Sequence, residues 1–442
     1  MSQCLSIEEL RASMPKGGLF RGECPWLLSP QPLSLTKKEV KEMQSLGYLL
    51  GKFYDACQSI YHASAEGKEH GWVAKLLDAG KPDWLVNLQR TKAMKQATAR
   101  VIRPDLMVTE QGWIASELDS IPGGQGVTCF LSRLYADAGW DVIGGRDGMV
   151  EGFRESHPNE TRILVSRESD DYRAEMEYFA NCLGEDYSCE DAELVGRTIP
   201  EGSSWYRFFE LFDTDQIPSS RELLEAAAEK RACVSPPPVA HLEEKLWLAL
   251  FHSPGLQKTW KKLLRGSHWE RLDRLIPHGW VLEPTELPPH AALPWLNVHG
   301  WDDVAQMSQR ERRLVLKISG FNSLAWGARG VLMGHDMSSE DWSNALQNAM
   351  SQREYSPWMV QEFHAGKIIE HPYYERDTNV LKMMRGRVRL CPYYYRLPDG
   401  KTHLGGCLAT IVPEDKKKIH GMKDGIMVPC CLEEKIKTSP II

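Results

Sequence analysis

From Thr36 onward apolar residues recur at threes and fours, as Val40, Met43, Leu46, Leu49, Leu50, Phe53, Tyr54 and Cys57. That period is one face of an α-helix, and Thr36 stands where its N-cap belongs. Helical patterning continues to about residue 100, behind an irregular arm of Pro and Gly over 1–35, so 1–100 is expected to be a helical subdomain. Near residue 101 the period drops to two. Stretches 101–108 and 113–119 are expected to be strands joined at Glu110-Gln111-Gly112, a three-residue loop with Gly at a left-handed position. The glycine-rich 121–126 leads into a helix over about 127–138. A strand at 161–166, a helix at 171–182, a strand at 205–211 and a helix at 220–230 follow. Such alternation predicts an open α/β layer over 101–240.

The run Val234-Ser-Pro-Pro-Pro-Val239 is expected to be a semi-rigid linker or turn. Helical patterning resumes over 243–264 and, more weakly, 269–276, before proline-rich text at 284–294. An α+β segment closes the chain, with strands at 314–319, 358–363, 388–395 and 404–411 and a helix at 339–350. No internal repeat or low-complexity tract interrupts it.

Composition narrows the class. The 442 residues are 42% hydrophobic and 26% charged, the balance of a globular protein of two to four domains. A net charge of −7 argues against a general polyanion binder. No apolar run nears the roughly 20 residues that span a bilayer, and Glu8 and Glu9 close behind Met1 do not suit a signal peptide. Eleven cysteines, none in a C-x-x-C, suit free thiols in a reducing, cytoplasmic setting rather than a zinc cage or disulfide framework. The vicinal pair Cys430-Cys431 leaves a redox role as the minor alternative.

Three constellations could carry chemistry. Centred on Gln111, the hairpin sets residue i opposite 222 minus i, so Asp105 faces Glu117 and Arg103 faces Asp119, all on one face. Opposed carboxylates repel unless a cation lies between them, and Mg²⁺ or Mn²⁺ takes such oxygen ligands. The alternative is a solvated face on which Arg103 neutralises Asp119. Second, Lys317 ends an apolar strand and is followed by Gly320, Ser323, Gly327, Arg329 and Gly330, small and basic residues able to close backbone amides over phosphates. It is neither of the two commonest phosphate motifs, and a plain glycine-rich hairpin turn fits equally. Third, the strand 358–363 carries Gln361-Glu362. The lysines at 416–418 suit a solvated turn, and His364, His371, His403 and His420 have no metal-ligand spacing.

The order Arg-x-Asp, hairpin, Glu-x-Asp, helical lysine, strand lysine with glycine loop, strand Gln-Glu resembles the circularly permuted ATP-grasp ligases, in particular the synthetase module of glutathionylspermidine synthase. The resemblance covers most of residues 100–430. It implies an ATP-grasp-like α+β fold in which 1–100 is helical, 101–240 carries the metal hairpin and 241–442 clasps the nucleotide. It also implies Asp105, Glu117 and Asp119 as Mg²⁺ (or Mn²⁺) ligands, although the family pattern has Asn at the position of Asp119. Arg103 would stabilise the transferred phosphoryl group. Lys245, Lys317 and the glycine loop would hold ATP phosphates, and Gln361 and Glu362 would meet the nucleoside. The implied reaction joins a small-molecule or peptide carboxylate to an amine through an acyl phosphate. The helical first hundred residues are too short for the amidase domain of the bifunctional synthases. A catalytically inactive nucleotide-binding regulatory or assembly protein of the same fold is the alternative. A nucleic-acid binder using Lys382, Arg385, Arg387 and Arg389 is disfavoured, a basic strand in an acidic protein being more often a channel wall or solvated face.

Overall fold

A computed structural model of the chain describes residues 3–16, 19, 25–284, 292–325, 329–416, 419 and 424–433. Its strands, in chain order, are β1 (Leu33–Leu35), β2 (Val101–Thr109), β3 (Gly112–Asp119), β4 (Thr161–Val165), β5 (Tyr187–Asp191), β6 (Ser204–Phe208), β7 (Cys233–Ser235) and β8 (Gly279–Val281). They continue as β9 (Leu314–Ile318), β10 (Val331–Met333), β11 (Trp358–Glu362), β12 (Ile368–Tyr374), β13 (Leu381–Arg396), β14 (Thr402–Pro413) and β15 (Ile426–Leu432). Among the described residues these form three sheets: a seven-stranded one of order β1-β15-β14-β13-β2-β3 with β12 also on β13, an antiparallel β10-β9-β11-β8, and a parallel β5-β4-β6-β7. The result is a mixed α/β fold. No helix among the described residues is long and apolar enough to cross a membrane.

The expected amphipathic helix is Lys37–Ala65. Thr36 caps it: its Oγ1 accepts from the Glu39 amide at 3.3 Å while the Glu39 carboxylate accepts from the Thr36 amide at 2.8 Å. Such a reciprocal pair satisfies two amides that the first helical turn would leave open. The buried stripe of Met43, Leu46, Leu50, Phe53 and Cys57 reaches beyond its own subdomain, Phe53 stacking on Trp260. It also packs on the large sheet near the other end of the chain, where Tyr394 donates its hydroxyl to the Met43 carbonyl at 2.7 Å. A Cβ at Gly47 would stand 2.4 Å from the Tyr394 ring, so only glycine lets helix and strand approach this closely. The periodicity announces an apolar face; it carries no record of which surface will cover it.

The hairpin likewise pairs outside its expected layer. β2 lies against β13, with Leu106 opposite Leu390 and Ile102 opposite Tyr394. β13 runs 16 residues, its first half on β12 and its second on β2, and this length exceeds the expected 388–395. β4 to β7 and their helices Arg173–Leu183 and Ser220–Ala228 form the open parallel layer the alternation foretold. The run 234–239 is no linker: it completes that layer as β7 and continues as a fully buried turn. Its prolines are apolar, so burial costs little, and proline composition alone cannot tell a linker from a packed turn.

The helical text at 243–264 breaks at Ser253-Pro254-Gly255 into Leu246–Leu250 and Gln257–Leu275. The second helix absorbs the expected 269–276 element across a kink at Arg265, whose φ is 54°. The small antiparallel sheet has a hydrophobic core of its own, in which Trp301, Val304, Trp342 and Leu346 from two helices pack under Leu316 and Val360. The remainder shares one continuous core that joins the 37–65 helix, the hairpin and the C-terminal strands.

Candidate functional site

The hairpin sets the first wall. Thr109 pairs with Gly112, so the connection is the two-residue Glu110-Gln111 rather than a three-residue loop. The register would then put Asp105 out of step with Glu117, but Ser116 bulges out between the pairs Leu106–Ala115 and Asp105–Glu117. That extra residue restores the expected pairs Asp105–Glu117 and Arg103–Asp119. It also frees the Ser116 carbonyl, which accepts from Lys317 Nζ at 2.8 Å. The bulge thus ties the large sheet to the small one.

Each carboxylate on this face meets a cation. Arg103 donates from Nε to Asp105 at 3.1 Å and from Nη2 to Asp119 at 3.0 Å. Arg389, on β13, holds the other oxygen of Asp105 at 2.9 Å. Asp105 is only 5% exposed. Glu117 pairs with Lys245 Nζ at 2.8 Å, and the same ammonium donates to the Ala325 carbonyl at 2.6 Å. Burial works to lower the Lys245 pKa, yet Glu117 beside it turns the net shift upward. Burial raises Asp119, with Arg103 opposing. Among the described residues no three His, Cys, Asp or Glu side chains are gathered as a metal-holding group. Asp105, with an arginine on each oxygen, is placed as a strut between two guanidiniums; it lines the cleft together with Glu117 and Asp119, whose side chains are the more exposed.

The second wall is the small sheet. Lys317 Nζ donates to Gln361 Oε1 at 2.7 Å as well as to Ser116, and burial lowers its pKa to about 8. Gln361 is 2% exposed, while Glu362 is exposed and pairs with His364 at 3.4 Å. β9 and β10, on either side of the glycine-rich stretch, are an antiparallel pair with Val331 opposite Lys317. Within that stretch Gly320 borders the cleft beside Glu244. Ser323 is exposed, Arg329 pairs with Glu168 at 2.9 Å, and Gly330 is buried against Ile318. Gly327 lies outside the described residues.

The third wall is the carboxyl end of the parallel sheet, the edge at which open α/β sheets offer ligands a crevice. Phe208 ends β6 there, Phe209 and Glu210 follow it, and Ser169 follows β4. The cleft enclosed by the three walls, counted out to its open mouth, is about 1840 Å³. Burial, then Glu243 and Asp119, push the Glu210 carboxyl well above the usual range.

Beneath Arg103 runs the glycine-rich loop. The Gly123 carbonyl accepts from Arg103 Nη1 at 2.9 Å and from the Tyr393 hydroxyl at 2.7 Å. Gly124, with a φ of 85°, turns the chain into helix Gln125–Asp137. The fully buried Glu175 caps that helix, accepting from the amides of Gly124 at 2.6 Å and Val127 at 3.2 Å. Burial raises its pKa to about 7 against those bonds. A carboxyl raised in the folded state keeps its proton where the unfolded chain has lost it, so stability falls as pH climbs from about 4.5 to 7. In urea titrations at a series of pH values, Glu175→Gln should flatten that decline; an unchanged slope would place the proton elsewhere.

Sequence reasoning named Arg103, Asp105, Glu117, Asp119, Lys245, Lys317, Gly320, Gln361 and Glu362, and all of them border this cleft. It grouped Arg389 with a basic strand and missed its contact with Asp105 from 284 positions away. Glu175 and Glu210 carried no local signal. Nor did the buried Lys81–Glu244 ion pair at the cleft floor, where Glu244 also accepts from Ser319 Oγ at 2.6 Å.

No protein-family model matches the chain, and no curated protein matches it. Among solved structures it is similar to a glutathione synthetase-like effector from Globodera pallida in apo form, at 14% identity over 92% of this chain and 90% of that one, with a TM-score of 0.50. A protein of Methylobacillus flagellatus KT provisionally named a gamma-glutamylcysteine synthetase aligns at 13% identity over 81% of this chain and 86% of that one, with a TM-score of 0.40. At 14% identity the first likeness speaks for the fold alone. This chain has the mixed α/β fold of that synthetase-like effector.

Proposed function

We propose that the protein is an ATP- and Mg²⁺-dependent carboxylate–amine ligase, glutathionylspermidine synthase-like and of the circularly permuted ATP-grasp kind. The observation that carries the proposal is one cleft into which the hairpin, Lys245, Lys317 and Gln361 converge from segments up to about 250 residues apart, Lys317 bonding both to the hairpin bulge and to Gln361. The small sheet, with its own core, is suited to clasp the nucleotide. Lys245 and Lys317 would meet its phosphates, and Gln361 and Glu362 the nucleoside. Permutation is inferred from chain order, since the carboxylate hairpin precedes the lysine strand.

The donor set fits a hard cation in part. Magnesium commonly takes one or two carboxylates and fills its other positions with phosphate and water oxygens, and Glu117 and Asp119 are the more exposed pair on the cleft wall. Bound there, the ion would offset phosphate charge. Arg103, fixed by Asp105, Asp119 and the Gly123 carbonyl, is preorganised to stabilise charge on a phosphoryl group passing to the substrate carboxylate. The acyl phosphate so formed would be attacked by the amine, releasing phosphate and leaving an amide. No side-chain nucleophile is needed, and closing the cleft would keep water from the acyl phosphate.

ADP release measured across a panel of carboxylic acids and amines tests the proposal. An active ligase should release ADP only when a matched acid and amine are both present, and Arg103→Met should lower kcat about 100- to 1000-fold. Tight ATP binding with no turnover by any pair would instead favour the inactive regulatory alternative.

A further inference from the structure

The carboxylates that border the cleft have basic partners, with one exception. Arg103 and Arg389 hold Asp105, and Arg103 also holds Asp119. Lys245 pairs with Glu117, Arg207 with Glu243, and the His364 imidazole with Glu362. Among the described residues no group bonds or ion-pairs with the carboxylate of Glu210. Arg207 and Lys245 act on it only from a distance. The first is tied to Glu243 and the Phe209 carbonyl, the second to Glu117 and the Ala325 carbonyl. A carboxyl buried beside other carboxylates and short of counter-charge rises in pKa, as Glu210 does.

The wall beside Glu210 is aromatic. Phe209 precedes it, and Phe212 stands in the turn closed by the Asp213 amide on the Glu210 carbonyl at 3.1 Å. Tyr172 packs edge-on against Phe208, their ring centroids 5.7 Å apart. All four rings border the cleft, Phe208 and Phe209 buried, Tyr172 and Phe212 half-buried in front of them. Tyr172 also lies on the loop under Arg103, where a Cβ on Gly123 would stand 2.3 Å from its ring. The aromatic wall therefore begins next to the arginine that would meet the phosphoryl group. Ring faces attract an ammonium as well as apolar carbon.

We propose that this wall is the subsite of a monoamine with an apolar or aromatic body, its single ammonium on Glu210 and its body against Tyr172 and Phe212. Resting on the ligase reading of the cleft, it makes that monoamine the acceptor of the acyl group. A polyamine does not suit the wall. Each further ammonium would need a carboxylate of its own, and the others are bound by arginine or lysine or, in the case of Glu362, sit on the opposite wall. Charges buried there without partners would count against the longer amine.

Ligand-observed NMR titration of phenethylamine, hexylamine, phenethyl alcohol and spermidine into the full chain at pH 7, beside amine-stimulated ADP release, tests it. Both monoamines should bind about tenfold or more tightly than the alcohol and the polyamine. Glu210→Gln should weaken them about 10- to 100-fold, the range for a lost charge-assisted bond. Its ATP affinity and urea stability should not fall, since the carboxyl removed has no partner in the fold. Phe212→Ala should weaken both monoamines roughly fivefold with Glu210 in place. Spermidine bound more tightly than the monoamines, monoamine binding unchanged in Glu210→Gln, or no amine bound at all would overturn the proposal. Glu210-dependent monoamine binding without ADP release from any acid would sink the ligase reading and leave the subsite, whereas ADP release with polyamines alone would do the reverse.

Discussion

Asp105→Ala is expected to lower folding stability by about 3–5 kcal/mol, the usual cost of removing one partner from a buried ion pair. The side chain is nearly enclosed and is the carboxylate shared by Arg103 and Arg389. Without it Arg103 keeps Asp119, but Arg389 is left inside the sheet with its charge uncompensated. The loss should therefore exceed that of a surface pair, worth about 0–1 kcal/mol, and should resist salt. Asp105→Asn, which keeps the shape and one acceptor, should cost less than alanine. Urea unfolding at low and high salt measures both. A loss under about 1 kcal/mol for alanine, or one abolished by salt, would mean that Asp105 is not the strut its contacts describe.

Lys317→Met is expected to leave stability nearly unchanged yet weaken ATP binding roughly a hundredfold, about 3 kcal/mol for a charged hydrogen bond lost in a water-poor site. Folding already bears the cost of burying this ammonium, which is why its pKa falls to about 8. Methionine removes that cost and gives up the bonds to Ser116 and Gln361. The sign with pH follows. The depressed pKa means that the free protein sheds the Lys317 proton from about pH 8, below the unfolded value near 10.5, so the apo fold gains stability over that range. Nucleotide affinity should run the other way, falling as pH rises past about 8, and the variant should lose this dependence. Binding isotherms between pH 6.5 and 9.5 read it directly.

These expectations rest on features of unequal legibility. The cross-strand pairs Asp105–Glu117 and Arg103–Asp119 followed from period-two spacing, because a strand's alternation and a short turn leave few registers. Ser116 shows the limit. Its bulge and the loop length err in compensating directions, so the expected pairs hold while the carbonyl that receives Lys317 stayed hidden. Arg389 was invisible because its partner lies on a strand 284 positions away, and register between distant strands is fixed by packing rather than local pattern. The same applies to the 37–65 helix, whose cap and stripe were readable but whose resting place under Tyr394 was not. Glu175 looked like any helical glutamate until the fold brought it to the open amides of another helix.

The central claim is that the cleft between the hairpin and the lysine strand binds ATP together with a divalent cation. Calorimetric titration of ATP into the protein, with Mg²⁺ and with EDTA, addresses it most directly, with Lys317→Met and Glu117→Gln/Asp119→Asn in parallel. The account predicts a single site that requires Mg²⁺, roughly a hundredfold weaker in the lysine variant and indifferent to Mg²⁺ in the double variant. No binding by the wild-type protein, or metal-dependent binding undiminished in both variants, would contradict it.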